Sequence, residues 1–143
     1  MFKDCSSLTT APELPATTLA SRCYFEMFQG CTSLTTAPNE LPATTLASNC
    51  YYEMFRYCTS LTIAPELPAT TLVSSCYNFM FYGCTHLNYI KAMFTTTPGS
   101  TYTSYWVYGV STSGTFVKNS AAEWSVSGRN GIPNNWTVQT ATE

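Results

Sequence analysis

Seven cysteines, one histidine and three tryptophans are the side chains best suited to redox, metal or stacking chemistry in this 143-residue chain. The cysteines fall into two columns, Cys5, Cys31, Cys58 and Cys84 in one and Cys23, Cys50 and Cys76 in the other. Disulfides are the first reading of so many cysteines in a short chain. Spacing argues against them. Cys23 and Cys31 would stand about 12 Å apart along a helix rising ~1.5 Å per residue, and a disulfide holds its Cα atoms within about 7 Å. Matching cysteines of successive copies come closer, but they would compete for the same partners, and seven is odd. Small buried hydrophobes are the expected role. Zinc binding lacks a Cys-x-x-Cys pair, and the lone His86 takes the place held by Ser7, Ser33 and Ser60. Glu13, Glu40 and Glu66 recur on a loop and read as a solvated edge. There is no Gly-rich phosphate loop, and "SGRNG" at 127–131 reads as a turn. No catalytic residue, metal site or cofactor is expected, and the chain is not expected to be an enzyme.

The columns arise because one sentence is repeated. "MFKDCSSLTTAPELPATTLASRCYFE" begins at residue 1 and returns from Met27 and Met54, with a fourth, partial copy from Met80. A period in the twenties belongs to repeat architectures. "CTSLTTAP" reads as a short strand with Leu8, Leu34, Leu61 and Leu87 in one inward column. Thr10, Thr36, Ile63 and Tyr89, two residues on, share that face by alternation. Ser7, Thr9 and Ala11, with Ser33, Thr35 and Ala37, would then form a plain hydroxyl-covered outer face. Prolines at 12, 38 and 65 end the strand. "ASRCYFEMFQGC" reads as a helix, since Cys23, Met27 and Cys31 recur at i, i+4 and i+8 with Tyr24 and Phe28 beside them. Ser21, Ser48 and Ser74 or Ser75 stand as N-caps, and Gly30 and Gly83 as C-terminal glycines. Met54 and Met80 continue the Met27 column. Stacked copies would bury these apolar sides against one another.

The pattern "MFxxCTSLTxAPELPATTLxxxCYxxMF" resembles the 26-residue repeats of bacterial surface leucine-rich-repeat proteins, the BspA-like group. The resemblance covers roughly residues 1 to 90, and the closing "GTFVKNSAAEWSVSGRNGIPNNWTV" is similar to the tails of such proteins. It implies an extracellular or cell-surface protein used in adhesion or surface structure, with no catalytic residues to carry over. The expected fold class is therefore an α/β repeat: a leucine-rich-repeat solenoid of short strands and short helices over residues 1–91, with a β-rich C-terminal cap over 92–143 packed on the last repeat.

Within the tail, "TYTSYWVYGV" and "GTFVKN" read as two strands and Asn130-Gly131 as a hairpin turn. Trp106, Trp124 and Trp136 all lie there, as cap core or as a ligand-binding platform. In the third copy Glu26 and Glu53 give way to Phe79, and Gln29 and Arg56 to Tyr82, which predicts that the tail docks on those two aromatics. Asn135-Trp136-Thr137 matches a glycosylation sequon.

Composition excludes several partners. Net charge is −2 and only 10% of residues are charged, so there is no footprint for nucleic acid and no basic segment for a membrane surface. No apolar run is long enough for membrane insertion. "MFKDCSS" lacks the pattern of a secretory leader and enters the repeat in frame, so a mature form or a piece of a longer protein is expected. The first repeat carries no capping substitution, so its open side is expected either to be completed by a missing upstream segment or to meet other subunits as a homo-oligomer, stacking head to tail into a filament where the rotation does not close. The leading expectation is a non-catalytic structural or adhesive protein that presents a surface to other subunits, or to a host surface protein or glycan. A phage receptor-binding fibre component, and a carbohydrate-binding module using the Trp-rich tail, are the alternatives.

Overall fold

A computed structural model describes residues 2–141; the repeat methionine at position 1 lies outside them. Among the described residues there is no helix, and regular strands are confined to β1 (Tyr89–Ala92), β2 (Thr115–Lys118) and β3 (Thr137–Thr140). These pair in the order β1-β2-β3, all parallel. The fold is thus not an α/β leucine-rich-repeat solenoid. It is a small helix-free domain of coils laid on one another, with a three-stranded sheet in its C-terminal part.

The segment expected to be helical is a chain of tight turns, and its hydrogen bonds show why. From Arg22 to Cys31 the N–H groups alternate between two kinds of acceptor. Those of Cys23, Phe25, Met27, Gln29 and Cys31 reach back three residues, to Ala20, Arg22, Tyr24, Glu26 and Phe28. Those of Arg22, Tyr24, Glu26, Phe28 and Gly30 reach across to Ser48, Cys50, Tyr52, Met54 and Arg56 of the next copy. An α-helix would spend every donor inside the segment, on the residue four back. Here half are spent on the neighbour. The path requires a left-handed residue at every fourth position: Arg22, Glu26 and Gly30 have φ of 62°, 56° and 75°, and Asn49, Glu53 and Tyr57 follow at 58°, 55° and 64°. Ser75, Phe79 and Gly83 repeat it. A non-glycine residue in this region costs roughly 1–2 kcal/mol, which the inter-coil bonds must offset. Gly30 and Gly83 are therefore left-handed turn positions, not helix ends, and Ser21, Ser48 and Ser75 cap nothing helical.

The expected strands in "CTSLTTAP" shrink to single parallel bridges, Thr10 with Thr36 and Ile63 with Tyr89. The expected alternation fails with them. Ala11, Ala37 and Ala64 are buried, whereas Thr10 and Thr36 are exposed and Ile63 is 58% exposed. With at most one bridge between successive copies of this segment, nothing holds its backbone to a two-residue pleat.

Side chains from successive coils meet like on like. Phe2, Phe28, Phe55 and Phe81 stack at 5.5, 5.4 and 5.7 Å between ring centroids. Tyr24, Tyr51 and Tyr77 stack at 6.0 and 5.8 Å, and Trp106 follows Tyr77 at 5.7 Å. Leu34, Leu61 and Leu87, Cys58 and Cys84, and Met54 and Met80 are fully buried around them.

Beyond Ala92 the side chains no longer repeat, yet the backbone step does. Ser104 N–H donates to Asn78, and the Asn119 amide to the Met93 carbonyl, both 26 residues distant. Tyr77, Phe79, Phe81 and Gly83 donate to Tyr102, Ser104, Trp106 and Tyr108 as earlier coils do to theirs. "TYTSYWVYG" is accordingly another run of turns and not a strand. Asn130-Gly131 turns a short loop, closed by Gly128 N–H on Ile132 and Ile132 N–H on Val126, while the strand that follows pairs parallel with β2 instead of forming a hairpin.

Candidate binding face

The two cysteine columns differ in what holds them. Cys31, Cys58 and Cys84 point their thiols at the carbonyls of Phe2, Phe28 and Phe55 in the preceding coil, at 3.0, 3.1 and 3.0 Å. Each weak S–H donor meets an oxygen that also accepts a backbone N–H, from Cys5, Cys31 and Cys58. Cys50 and Cys76 are buried, while Cys5 and Cys23, in the first coil, are exposed. All seven are free thiols. Burial pushes the Cys50 thiol up to about 11 and those of Cys76 and Cys84 up to about 12, so they are protonated and poor nucleophiles at neutral pH.

His86 is exposed, with Nδ1 2.6 Å from the Thr59 carbonyl. A carbonyl only accepts, so Nδ1 carries the proton and cannot take one from the adjacent Thr85 hydroxyl at 3.4 Å. Glu13 accepts from the Asn39 N–H at 3.1 Å, and Glu66 pairs with Lys91 at 3.3 Å. No group of three or more metal-ligating side chains gathers among the described residues. Trp106, Trp124 and Trp136 are buried, and their indole N–H groups donate to the carbonyls of Gly131, Phe94 and Ser111. They offer no open ring for a ligand. Leu8, at the open side of the first coil, is only partly buried.

The outward corners of the turns form a face that the sequence reading missed. Phe25 stacks on Tyr52 at 5.0 Å, Phe79 meets Tyr52 edge-on at 5.7 Å, and Tyr105 stacks on Phe79 at 5.8 Å. Beside this row, Tyr82 meets Tyr57 edge-on and stacks on Tyr108 at 5.1 Å. Phe79 and Tyr82 are thus each covered in part by tail tyrosines. Every arginine of the chain joins the face: Arg22 lies over Phe25, Arg56 over Tyr57, Phe79 and Tyr82, and Arg129 over Tyr105 at 4.5 Å. Such cation–π contacts hold a guanidinium in place. Arg56 is also paired with the buried Glu53 carboxylate at 3.0 Å. The signs of this face in the sequence are Phe25 and Tyr52 in one repeat column and the aromatic residues at outer positions of the third copy; Arg129 and Tyr105 share no repeat column that would have linked them.

At its C-terminal end the face opens into a cavity of about 430 Å³, whose lining includes Tyr108, Ser111, Thr112, Arg129, Asn134 and Asn135. The arrangement can bind, by stacking and by hydrogen bonding. No family model, curated protein or solved structure matches the chain.

Proposed function

We propose that the chain is a non-catalytic structural or adhesive unit that acts by presenting its surface and by stacking end to end with further copies of itself. One observation supports this reading: the first described coil exposes positions that later coils bury, a surface that an adjoining segment of chain or another copy would cover. Cys5 and Cys23 are exposed, whereas Cys31, Cys50, Cys58, Cys76 and Cys84 are buried. The carbonyls of Ser48, Cys50 and Tyr52 accept from the preceding coil; those of Ser21, Cys23 and Phe25, in the same places one coil earlier, have no such donor among the described residues. At the opposite end β3 is exposed along its length, with Val138 47% exposed. The bridges between the coils and the pairing of β1, β2 and β3 all run parallel, so a second copy added in the same orientation would extend the same pattern. That is a heterologous contact, which grows into a fibre when its rotation does not close.

An extracellular or surface setting is part of the proposal. It is supported by the resemblance of residues 1 to 90 to bacterial surface repeats and by a surface whose polarity comes from Thr, Ser and Asn. The partners are other copies of the chain, or a host protein or glycan.

Sedimentation velocity across a concentration series, with electron microscopy of the most concentrated samples, tests the assembly. Elongated oligomers that grow with concentration are expected. Val138→Lys, which puts a charge on the β3 edge, is expected to leave the monomer folded and stop growth. A single monomeric species at every concentration would overturn the proposal.

A further inference from the structure

We infer that the cavity beside Tyr108 and Arg129 is a binding site for a carboxylate-bearing sugar. This stands apart from end-to-end assembly and rests on the cavity alone. Its volume of about 430 Å³ falls within the roughly 300–1,000 Å³ typical of small-ligand sites.

Arg129 is the one cation of the lining, and no carboxylate shares it. No described residue forms an ion pair with Arg129, in contrast to Arg56 with Glu53. Its guanidinium rests over the Tyr105 ring at 4.5 Å, which fixes its plane while leaving its N–H fork free. A planar fork of that kind matches a carboxylate two bonds at a time. Tyr108 is 48% exposed, and its ring presents a negative face, to which the C–H side of a pyranose is attracted. The side chains of Thr112, Asn134 and Asn135 make no hydrogen bond to the described residues, so their hydroxyl and amides are available to sugar hydroxyls as donors and acceptors. Left-handed backbone also gathers here, with φ of 81° at Gly109, 102° at Gly128 and 69° at Asn135. A cation, an aromatic face and uncommitted amides together select an anionic, hydroxyl-rich ring over a purely apolar or purely anionic ligand.

Two sources carry this chemistry: uronic acids within polysaccharides, and sialic acids that end host glycans. The test follows backbone amide resonances of the intact chain during titration with galacturonic acid, N-acetylneuraminic acid, neutral galactose and acetate. Shifts confined to residues 107–112 and 128–135 are expected with one or both acidic sugars, and the one that binds more tightly names the source. Galactose is expected to bind at least roughly tenfold more weakly, and acetate likewise. Arg129→Gln is expected to weaken the acidic sugar by about tenfold or more with the melting temperature unchanged, and Tyr108→Ala, which also loses its stack on Tyr82, to weaken it by a similar factor in a chain that stays folded. Should Arg129→Gln fail to fold, Arg129→Lys decides, and a loss of similar size is expected because the charge stays while the fork goes. Equal response to galactose, a response to acetate as strong as to the sugars, shifts elsewhere, or unchanged affinity in a folded Arg129 variant would each overturn the site.

Discussion

The cysteines show how one residue type serves different ends by position alone. In Cys31, Cys58 and Cys84 the thiol meets a carbonyl of the coil below, a contact that alanine cannot replace and that a disulfide would abolish. In Cys5 and Cys23 the same columns reach solvent. A thiol reagent should therefore modify two cysteines in the native chain and the other five only on unfolding; more than two in the native state would contradict the packing. The pH dependence follows from the same burial. Desolvation raises the Cys50, Cys76 and Cys84 thiols from the ordinary 9.0 to about 11, about 12 and about 12. Unfolded thiols ionise first as pH rises, so the native state then binds more protons than the unfolded one and stability must fall with pH. Chemical denaturation should show a plateau below about pH 9 in these groups' contribution and a decline from there through their folded values. A stability that rises over that window would be inconsistent with buried thiols. Depth sets the cost of truncating leucine as well. Leu61 is fully buried, while Leu8 is partly exposed on the first coil. Leu61→Ala should cost roughly 2–5 kcal/mol by denaturant titration and Leu8→Ala clearly less.

At the level of elements, a spacing of i, i+4 and i+8 has two physical solutions. A helix brings such residues onto one stripe, because four residues complete slightly more than a turn. A chain of turns with a left-handed residue at each fourth position does so with an exact period of four. Cys50, Met54 and Cys58 satisfy both. What separates them is whether N–H groups look inward along the segment or outward to a neighbour, and an isolated segment has no neighbour to look at. Gly114 and Gly131 in the later coils record close approach instead. A Cβ on Gly114 would lie 2.5 Å from the Asn88 carbonyl oxygen and 2.8 Å from the Trp136 ring, where β2 starts beside β1. Since backbone cannot move aside cheaply, Gly114→Ala should destabilise the chain by about 1–3 kcal/mol, measured by thermal or denaturant melting. A neutral Gly114→Ala would mean that this junction is looser than the pairing of β1 with β2 implies.

Over the whole molecule the organising quantity is the step between coils. It is written openly in residues 1 to 91, where Leu34, Leu61 and Leu87 mark one column and lie at one depth. It is silent after Ala92, although Tyr89 pairs with Thr115 and Phe81 N–H still finds the Trp106 carbonyl. Backbone hydrogen bonds need no particular side chain, so coils can continue where the sequence has stopped repeating. The aromatic and arginine face was hidden for a related reason: Arg56 reaches Phe79 and Tyr82, and Arg129 reaches Tyr105, only because the coils are laid side by side. From its residues alone the chain determined a period, a scarcity of charge and columns of like side chains, since these are properties of spacing and composition. Tertiary structure decided the path taken within each period and the placing of Arg56 and Arg129 over aromatic rings of other coils. Both depend on bonds and contacts between coils, and those form only when a neighbouring coil is in place.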